Sequence, residues 1–392
     1  MAAAAFLPPW LYSSAAVAER ERSHYSQRCW HPLAAGSELA SGQALAVELL
    51  GLPVLLTRPA AKPQARPAAK PQAPPATPDG DNPPARAFLN RCPHRGVALL
   101  ESGSAAQSCR RLICPYHGWS YNLNGQLLAA AREGDFLEPF CRDDWPLQEL
   151  ACRELGPLIW VALGPDPIPL EQQLDLVLDE AGALFAEPRQ LLAREQRALA
   201  CNWKIAHDNT LDDYHVAIAH PTTLHREQGP VRLYRHALSP HGTLLATPVP
   251  PGGSESGASG TFYTFGLAPW THLLLWPDRR LALISFLPGA ALDRCTMDVW
   301  LFGPPELADS ANSWMAAMQG FLEEDRHLVE SAQRGYASGL SPGPAHRLEQ
   351  RILQWQALYR HLLDLEHWQP PAEVDRDLTT QPAGAATEPS PC

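Results

Sequence analysis

Two short segments, Cys92-Pro93-His94 and Cys114-Pro115-Tyr116-His117, each place one thiol and one imidazole side by side in the chain. Nineteen residues lie between His94 and Cys114. Four such side chains could hold one metal centre, and this carries more information about the chain than any other feature of the sequence. The set fits a tetrahedral zinc ion. It fits equally a two-iron, two-sulfide cluster with both cysteines on one iron and both histidines on the other. Zinc fingers usually pair Cys with Cys and His with His, whereas each pair here is mixed, and this favours the cluster. The distinction matters because such a cluster moves single electrons and a structural zinc does not.

The wider runs, Asn90-Arg91-Cys92-Pro93-His94-Arg95-Gly96 and Cys114-Pro115-Tyr116-His117-Gly118-Trp119, resemble the Rieske iron–sulfur domain. At 392 residues the chain has room for two domains with substantial cores. The net charge of −11 argues against nucleic acid as a partner. No apolar run approaches the ~20 residues that span a bilayer, so no membrane partner is expected. The first charged residues, Glu19 and Arg20, come too late for the basic start of a signal peptide or an Arg-rich transit peptide. Nine cysteines in a chain this long do not read as a disulfide framework, and a reducing, cytoplasmic compartment is expected. Arg91, Arg95, Arg110 and Arg111 gather near the cluster ligands, either as a solvated surface or as a patch that docks an acidic electron donor.

Along the chain, residues 1–39 read as a helical segment, with a helix around Ala15–Arg28 and a turn at His31-Pro32. Short β-rich runs follow from residue 43, and residues 40–165 are expected to form the cluster domain. Within it, residues 59–84 carry a Pro/Ala/Lys repeat that cannot build a core or a strand interior, and it reads as an exposed insertion in a hairpin loop. Asn124-Gly125 is a hairpin turn signal, and Gly156–Leu163 reads as the last strand of this domain. Residues 166–368 are expected to form a second domain, with a helix near Glu171–Leu184 and strands near Thr261–Phe265 and Leu281–Leu287. Pro250–Gly260 reads as a loop, two helices cover about 309–335 and 345–366, and residues 369–392 read as a disordered tail.

The second chemical signal is Asn202-Trp203-Lys204, then Asp208-Asn209-Thr210-Leu211-Asp212-Asp213-Tyr214-His215, ending at His220-Pro221. Five residues advance a helix by ~500°, so His215 and His220 do not share a face of an ideal helix. The residue before a proline is steered out of the helical region, so His220 is expected at a helix end, where it can swing back toward His215. In 309–335, Met318, Phe321, Leu322, Leu328, Val329 and Ala332 recur at helical spacing, and Asp325 falls on that stripe. A carboxylate aimed at a core is costly unless it is paired or metal-bound. Glu323 and Glu324 are expected to be solvated. Two histidines and one inward carboxylate match the facial triad of mononuclear non-haem Fe(II) oxygenases, which leaves positions open for O2 and substrate.

The order of these parts resembles the α subunit of Rieske non-haem iron oxygenases, also called ring-hydroxylating oxygenases, over roughly residues 10–365. Glu324-Asp325-x3-Val329-Glu330-x2-Gln333-Arg334-Gly335 adds to the match. The resemblance implies an α+β fold: an N-terminal Rieske [2Fe-2S] β domain plus a helix-capped antiparallel β-sheet catalytic domain. It implies Cys92, His94, Cys114 and His117 as cluster ligands and His215, His220 and Asp325 as ligands of a mononuclear Fe(II). It makes Asp212 the acid that links a cluster histidine of one subunit to an iron-ligand histidine of the next, and Asn209 a polar neighbour of the iron. It also implies a homotrimer. The proline-rich insertion, Asp208 where many members carry Glu, and a longer gap between the cluster pairs depart from the pattern without touching a ligand. The Tyr214-His215 form and the Asp325 context lean toward the choline and carnitine monooxygenase branch.

On this reading, electrons pass through the cluster to the mononuclear iron, and O2 is the co-substrate. No G-x-G-x-x-G motif follows a strand, so NAD(P)H is expected to act only through a separate ferredoxin or flavin reductase. The substrate is expected to be a small organic molecule, an aromatic ring or a quaternary amine. Tyr234, Phe262, Tyr263, Phe265, Trp270 and Trp276 would cage a quaternary ammonium, stack on a ring, or simply be core. A Rieske-type electron-transfer protein without oxygenase activity would explain residues 40–163 but not the second triad.

Overall fold

Strand Leu281–Pro288 shows why the centre of this protein is a sheet covered on both sides. Leu281 and Leu283 enter one apolar cluster while Ala282, Ile284 and Phe286 enter another, as the two-residue side-chain period requires. With both faces apolar, both must be packed against other elements. A computed structural model describes residues 6–61, 83–103, 105–249 and 260–368. It sets this strand in a seven-stranded sheet ordered Gln190–Leu199, Cys295–Gly303, Leu281–Pro288, Thr271–Leu275, Gly260–Leu267, Gly242–Val249, Arg235–Leu238. Every neighbouring pair is antiparallel.

Helices Trp203–Leu211, Ala311–Ala337 and Gln350–Leu363 cover one face, joined by Leu11, Tyr12, Val17 and Tyr25 of the N-terminal segment. Helix Asp175–Phe185 covers the other, together with Trp30, Leu158 and Trp160 of a second sheet. That sheet, also seven-stranded and antiparallel, runs Trp30–Ala35, Leu158–Ala162, Glu149–Leu155, Arg86–Leu89, Leu52–Arg58, Gln43–Leu49, Gln107–Ser108. Three short strands, Leu112–Ile113, Ser120–Tyr121 and Leu127–Ala129, form a third sheet beside it. The α+β architecture expected from the resemblance is the one observed. No helix among the described residues is long and apolar enough to cross a membrane.

Three local expectations need correction. His31-Pro32 is not a turn but part of strand Trp30–Ala35, which pairs with Leu158–Ala162. Proline has no N–H to give a ladder, and it is tolerated here because the strand is at the sheet edge and the register shifts between Pro32 and Ala34. The sheet therefore starts at Trp30, ahead of the boundary expected at residue 40. Leu328 leaves the buried stripe of its helix and is 45% exposed, because that position lines an open cleft instead of the core. Strand Gln190–Leu199 had no signature in the sequence: its charged Arg194, Glu195 and Arg197 suit an exposed edge strand, not an alternating core one. Leu52–Arg58 pairs with Arg86–Leu89, so the Pro/Ala insertion joins antiparallel neighbours. Its residues 62–82, the loop 250–259 and the tail 369–392 lie outside the described residues.

The Asn202-Trp203-Lys204 motif has a structural reason. The Asn202 side chain caps helix Trp203–Leu211 by accepting from the Lys204 N–H. Lys204 Nζ lies 2.6 Å from Glu21 Oε1, and the Trp203 indole N–H and Tyr359 hydroxyl donate to the same carboxylate. Glu21 and Lys204 are both buried, so removing one partner costs about 3–5 kcal/mol. This pair pins the N-terminal segment to the helix that leads toward His215 and His220.

Candidate metal centres and the cavity beside them

The two cluster loops have one backbone design. Cys92 N–H donates to Val97 O and Gly96 N–H to Cys92 O, while Cys114 N–H donates to Trp119 O and Gly118 N–H to Cys114 O. Gly96 (φ 76°) and Gly118 (φ 70°) close the loops in the left-handed region, which a side chain would strain. Cys92 and Cys114 sit in the core of this domain, whereas His94 is half-buried and His117 exposed. The imidazoles approach to 4.6 Å between ring centres, and His94 stacks on Trp119 at 4.9 Å. The Tyr121 hydroxyl lies 3.4 Å from Cys92 Sγ. His94 Nδ1 is buried without a hydrogen-bond partner, which fits a nitrogen used as a ligand. Two buried thiols and two more exposed imidazoles are the donor set that would hold a two-iron, two-sulfide cluster. Arg91, Arg95, Arg110 and Arg111 are all exposed around these loops.

The second set is assembled from three elements. Helix Trp203–Leu211 ends at Asp212, whose Oδ1 accepts the N–H groups of Tyr214 (2.7 Å) and His215 (3.3 Å) and so turns the chain. The short helix Val216–Ala219 then stops at His220, ahead of Pro221 as the sequence suggested. Asp325 comes from the middle of Ala311–Ala337. His215 Nε2 and His220 Nε2 are 3.2 Å apart, and Asp325 Oδ1 lies 2.8 Å from His220 Nε2 and 3.3 Å from His215 Nε2. The three ligand atoms all lie within 4.8 Å of one another. Burial alone would push the Asp325 carboxyl up, but its bonds to His215 and His220 hold it below the usual range. Two imidazoles and a carboxylate meeting this closely suit a divalent iron with open coordination positions.

Further acidic side chains lie against the two histidines. Asp212 Oδ2 is 3.5 Å from His215 Nδ1. His220 Nδ1 lies 2.6 Å from Glu324 Oε2, which also accepts from the Thr223 hydroxyl at 2.8 Å. Glu324 is therefore not simply solvated, as its sequence position suggested. It sits next to Asp325 on the helix, and the fully buried His220 lies beneath both. Nothing in the sequence pairs it with His220, 104 residues away. Glu323 does face outward and pairs with Arg326.

A narrow cavity of about 40 Å³ adjoins His215 and Asp325. Asn209 and Asp212 reach its edge, Val216, Leu274, Ile284 and Phe321 supply apolar walls, and Gln228, Thr264 and His272 supply polar ones. None of the six aromatic residues singled out in the sequence lines it. Phe262 packs on Trp276, Trp270 packs on Trp203, and Tyr263 and Phe265 stack together toward the other face of the sheet. Tyr234 reaches the cavity only by donating its hydroxyl to Gln228. Phe262, Phe265, Trp270 and Trp276 are buried core, the third of the fates open to them, while Tyr234 and Tyr263 are half-buried. On the far side of Asp212 an open cleft of about 320 Å³ is lined by Asp208, Asn209, Asp212, Leu328 and Tyr336.

Comparison with known proteins agrees with this geometry. Residues 29–135 match the profile of the Rieske [2Fe-2S] domain, and residues 186–365 that of the ring hydroxylating alpha subunit (catalytic domain). The carnitine monooxygenase oxygenase subunit of Escherichia coli (strain K12) is 28% identical over 344 residues, spanning 85% of this chain and 84% of that protein. A solved quaternary ammonium Rieske monooxygenase, CntA, with an inhibitor bound has a TM-score of 0.74 at 24% identity, covering 92% of this chain and 96% of that one. Naphthalene 1,2-dioxygenase from Rhodococcus sp. has a TM-score of 0.69 at 18% identity, covering 93% and 95%. At such identities the structural likeness speaks for the fold. The two domains and their order define the class: the chain belongs to the Rieske oxygenases as an α subunit, and it is similar along most of its length to carnitine monooxygenase oxygenase subunits. It is an O2-dependent oxidoreductase of the kind that uses a [2Fe-2S] cluster and a mononuclear iron.

Proposed function

We propose that this protein hydroxylates a small organic substrate, a quaternary amine or an aromatic compound, at a mononuclear Fe(II) held by His215, His220 and Asp325. The observation that carries the reading is the convergence of those three side chains beside a narrow cavity. Cys92, His94, Cys114 and His117 hold the cluster. When bound, these groups supply one-electron transfer and O2 activation. The chain's own residues then have separate tasks. Glu324 and Asp212 orient the histidine ligands, and the apolar wall excludes bulk water. The amine alternative draws support from relatives whose names record action on carnitine, glycine betaine and choline.

Electrons come from a separate ferredoxin or flavin reductase that draws on NAD(P)H, and the exposed arginines beside the cluster loops suit an acidic donor. The protein acts as a cytoplasmic homotrimer in which Asp212 bridges to a neighbour's cluster. Support comes from the exposed His117 and from the cleft that opens on Asp212. Iron and sulfide analysis tests the core of this reading: about three irons and two sulfides per chain are expected, against about two and two for a plain electron carrier. Zinc alone at the four cluster residues would overturn it. Substrate-stimulated NAD(P)H consumption with a reductase, with the product identified by mass spectrometry, then selects between amine and aromatic.

A further inference from the structure

Behind the cavity lies a pair of histidines that no part of the metal chemistry uses. His272 stands on strand Thr271–Leu275 and His207 on helix Trp203–Leu211. Both are fully buried, at 1% and 0% exposure, and His272 Nε2 lies 2.8 Å from His207 Nδ1. His272 is part of the cavity wall that also includes His215 and Asp325. Its remaining nitrogen, Nδ1, is buried without a partner, as is His207 Nε2. Buried polar atoms are almost always paired in folded proteins, so an unpaired one in a cavity wall calls for a ligand atom.

We propose that His272, held by His207, is the hydrogen-bonding anchor of the substrate cavity and selects substrates that carry an uncharged hydroxyl or carbonyl on a compact body. This rests on the oxygenase reading above and deepens it. Burial pulls both imidazoles well below their ordinary value, with Arg351 adding to the effect, so both are neutral at pH 7. Two neutral rings hold two N–H groups. One bridges the pair, and the other lies either on His272 Nδ1 or on His207 Nε2. When the bridge runs from His207 to His272, Nδ1 of His272 is a donor and suits a carbonyl. When it runs the other way, Nδ1 is an acceptor, and a hydroxyl suits either state. Among the described residues lining the cavity, none is Lys or Arg, so a carboxylate has no counter-charge there.

The test uses holoenzyme and probe pairs that differ by one hydroxyl: choline with ethyltrimethylammonium, carnitine with γ-butyrobetaine, and benzyl alcohol with toluene. Binding is read from the electron paramagnetic resonance of the nitric oxide adduct of the ferrous site, which needs no reductase. In at least one pair the hydroxylated member should bind about tenfold more tightly, the worth of one neutral hydrogen bond. His272→Phe should collapse that ratio toward one. His272→Asn, which restores a polar group near the Nδ1 position, should recover it, whereas His272→Gln, reaching only toward His207, should not. The ratio is internal to each variant and does not depend on the fraction folded, which the Rieske signal reports. Equal binding within every pair, or a ratio that survives His272→Phe, overturns the anchor alone. If no probe alters the iron signal, the amine-or-aromatic reading fails and the anchor with it.

Discussion

Replacing Glu324 tests whether the second layer around the mononuclear site acts as its geometry implies. Loss of a carboxylate that orients a histidine ligand typically weakens metal binding ~10–100-fold, or about 1.4–2.8 kcal/mol. The structure places Glu324→Ala near the lower end. The Glu324 side chain is 37% exposed, so water takes over part of its bond to His220 Nδ1, and His220 itself, at 0% exposure, is also held by packing. A loss of about tenfold in Fe(II) affinity is expected. Glu324→Gln keeps an acceptor but not the charge and should lose roughly threefold. The assay chelates the mononuclear iron from intact protein, then titrates Fe(II) against a chromophoric chelator while the Rieske signal is monitored. Wild-type Fe(II) affinity in Glu324→Ala would refute the argument that this bond sets the ligand ring. Loss of the Rieske signal would show that the effect is global.

Asp325→Ala should empty the mononuclear site and abolish turnover while the Rieske signal persists, and full activity in that variant would make Asp325 a structural acid. Asp212→Asn should leave both centres loaded but slow product formation about 10–100-fold, measured as cluster reoxidation by rapid mixing with substrate and O2. Asp208 sets a pH dependence of stability. Burial pushes its carboxyl up to about 7, against hydrogen bonds from Tyr12 and Gln356. The folded state thus keeps a proton that the unfolded chain releases near pH 4. Stability should fall as pH rises from about 4 to about 7 and level off above, by at most about 4 kcal/mol. Asp208→Asn should flatten that fall in a plot of Tm against pH, since its amide can occupy the unpartnered Oδ1 position. An unchanged slope would show that Asp208 is ionised in the folded protein.

The parts of this protein that were legible in its sequence are those whose geometry is local. The two cluster loops close within six residues through Gly96 and Gly118, so the Cys and His of each pair are neighbours in space because they are neighbours in the chain. Pro221 marks the helix end that turns His220 back, and helical periodicity alone puts Asp325 on an inward face. What tertiary structure alone decided is every pairing across long separations. Glu324 meets His220, and His207 meets His272 65 residues away, because separate helices and strands pack on one sheet face. None of the six aromatic residues reached the cavity, although Phe262, Trp270 and Trp276 share a sheet face with its walls Leu274 and Ile284, and a two-residue period cannot say where along a face a cavity will open. Strand Gln190–Leu199 is a strand because Cys295–Gly303 offered it a ladder, not because its own residues demanded one.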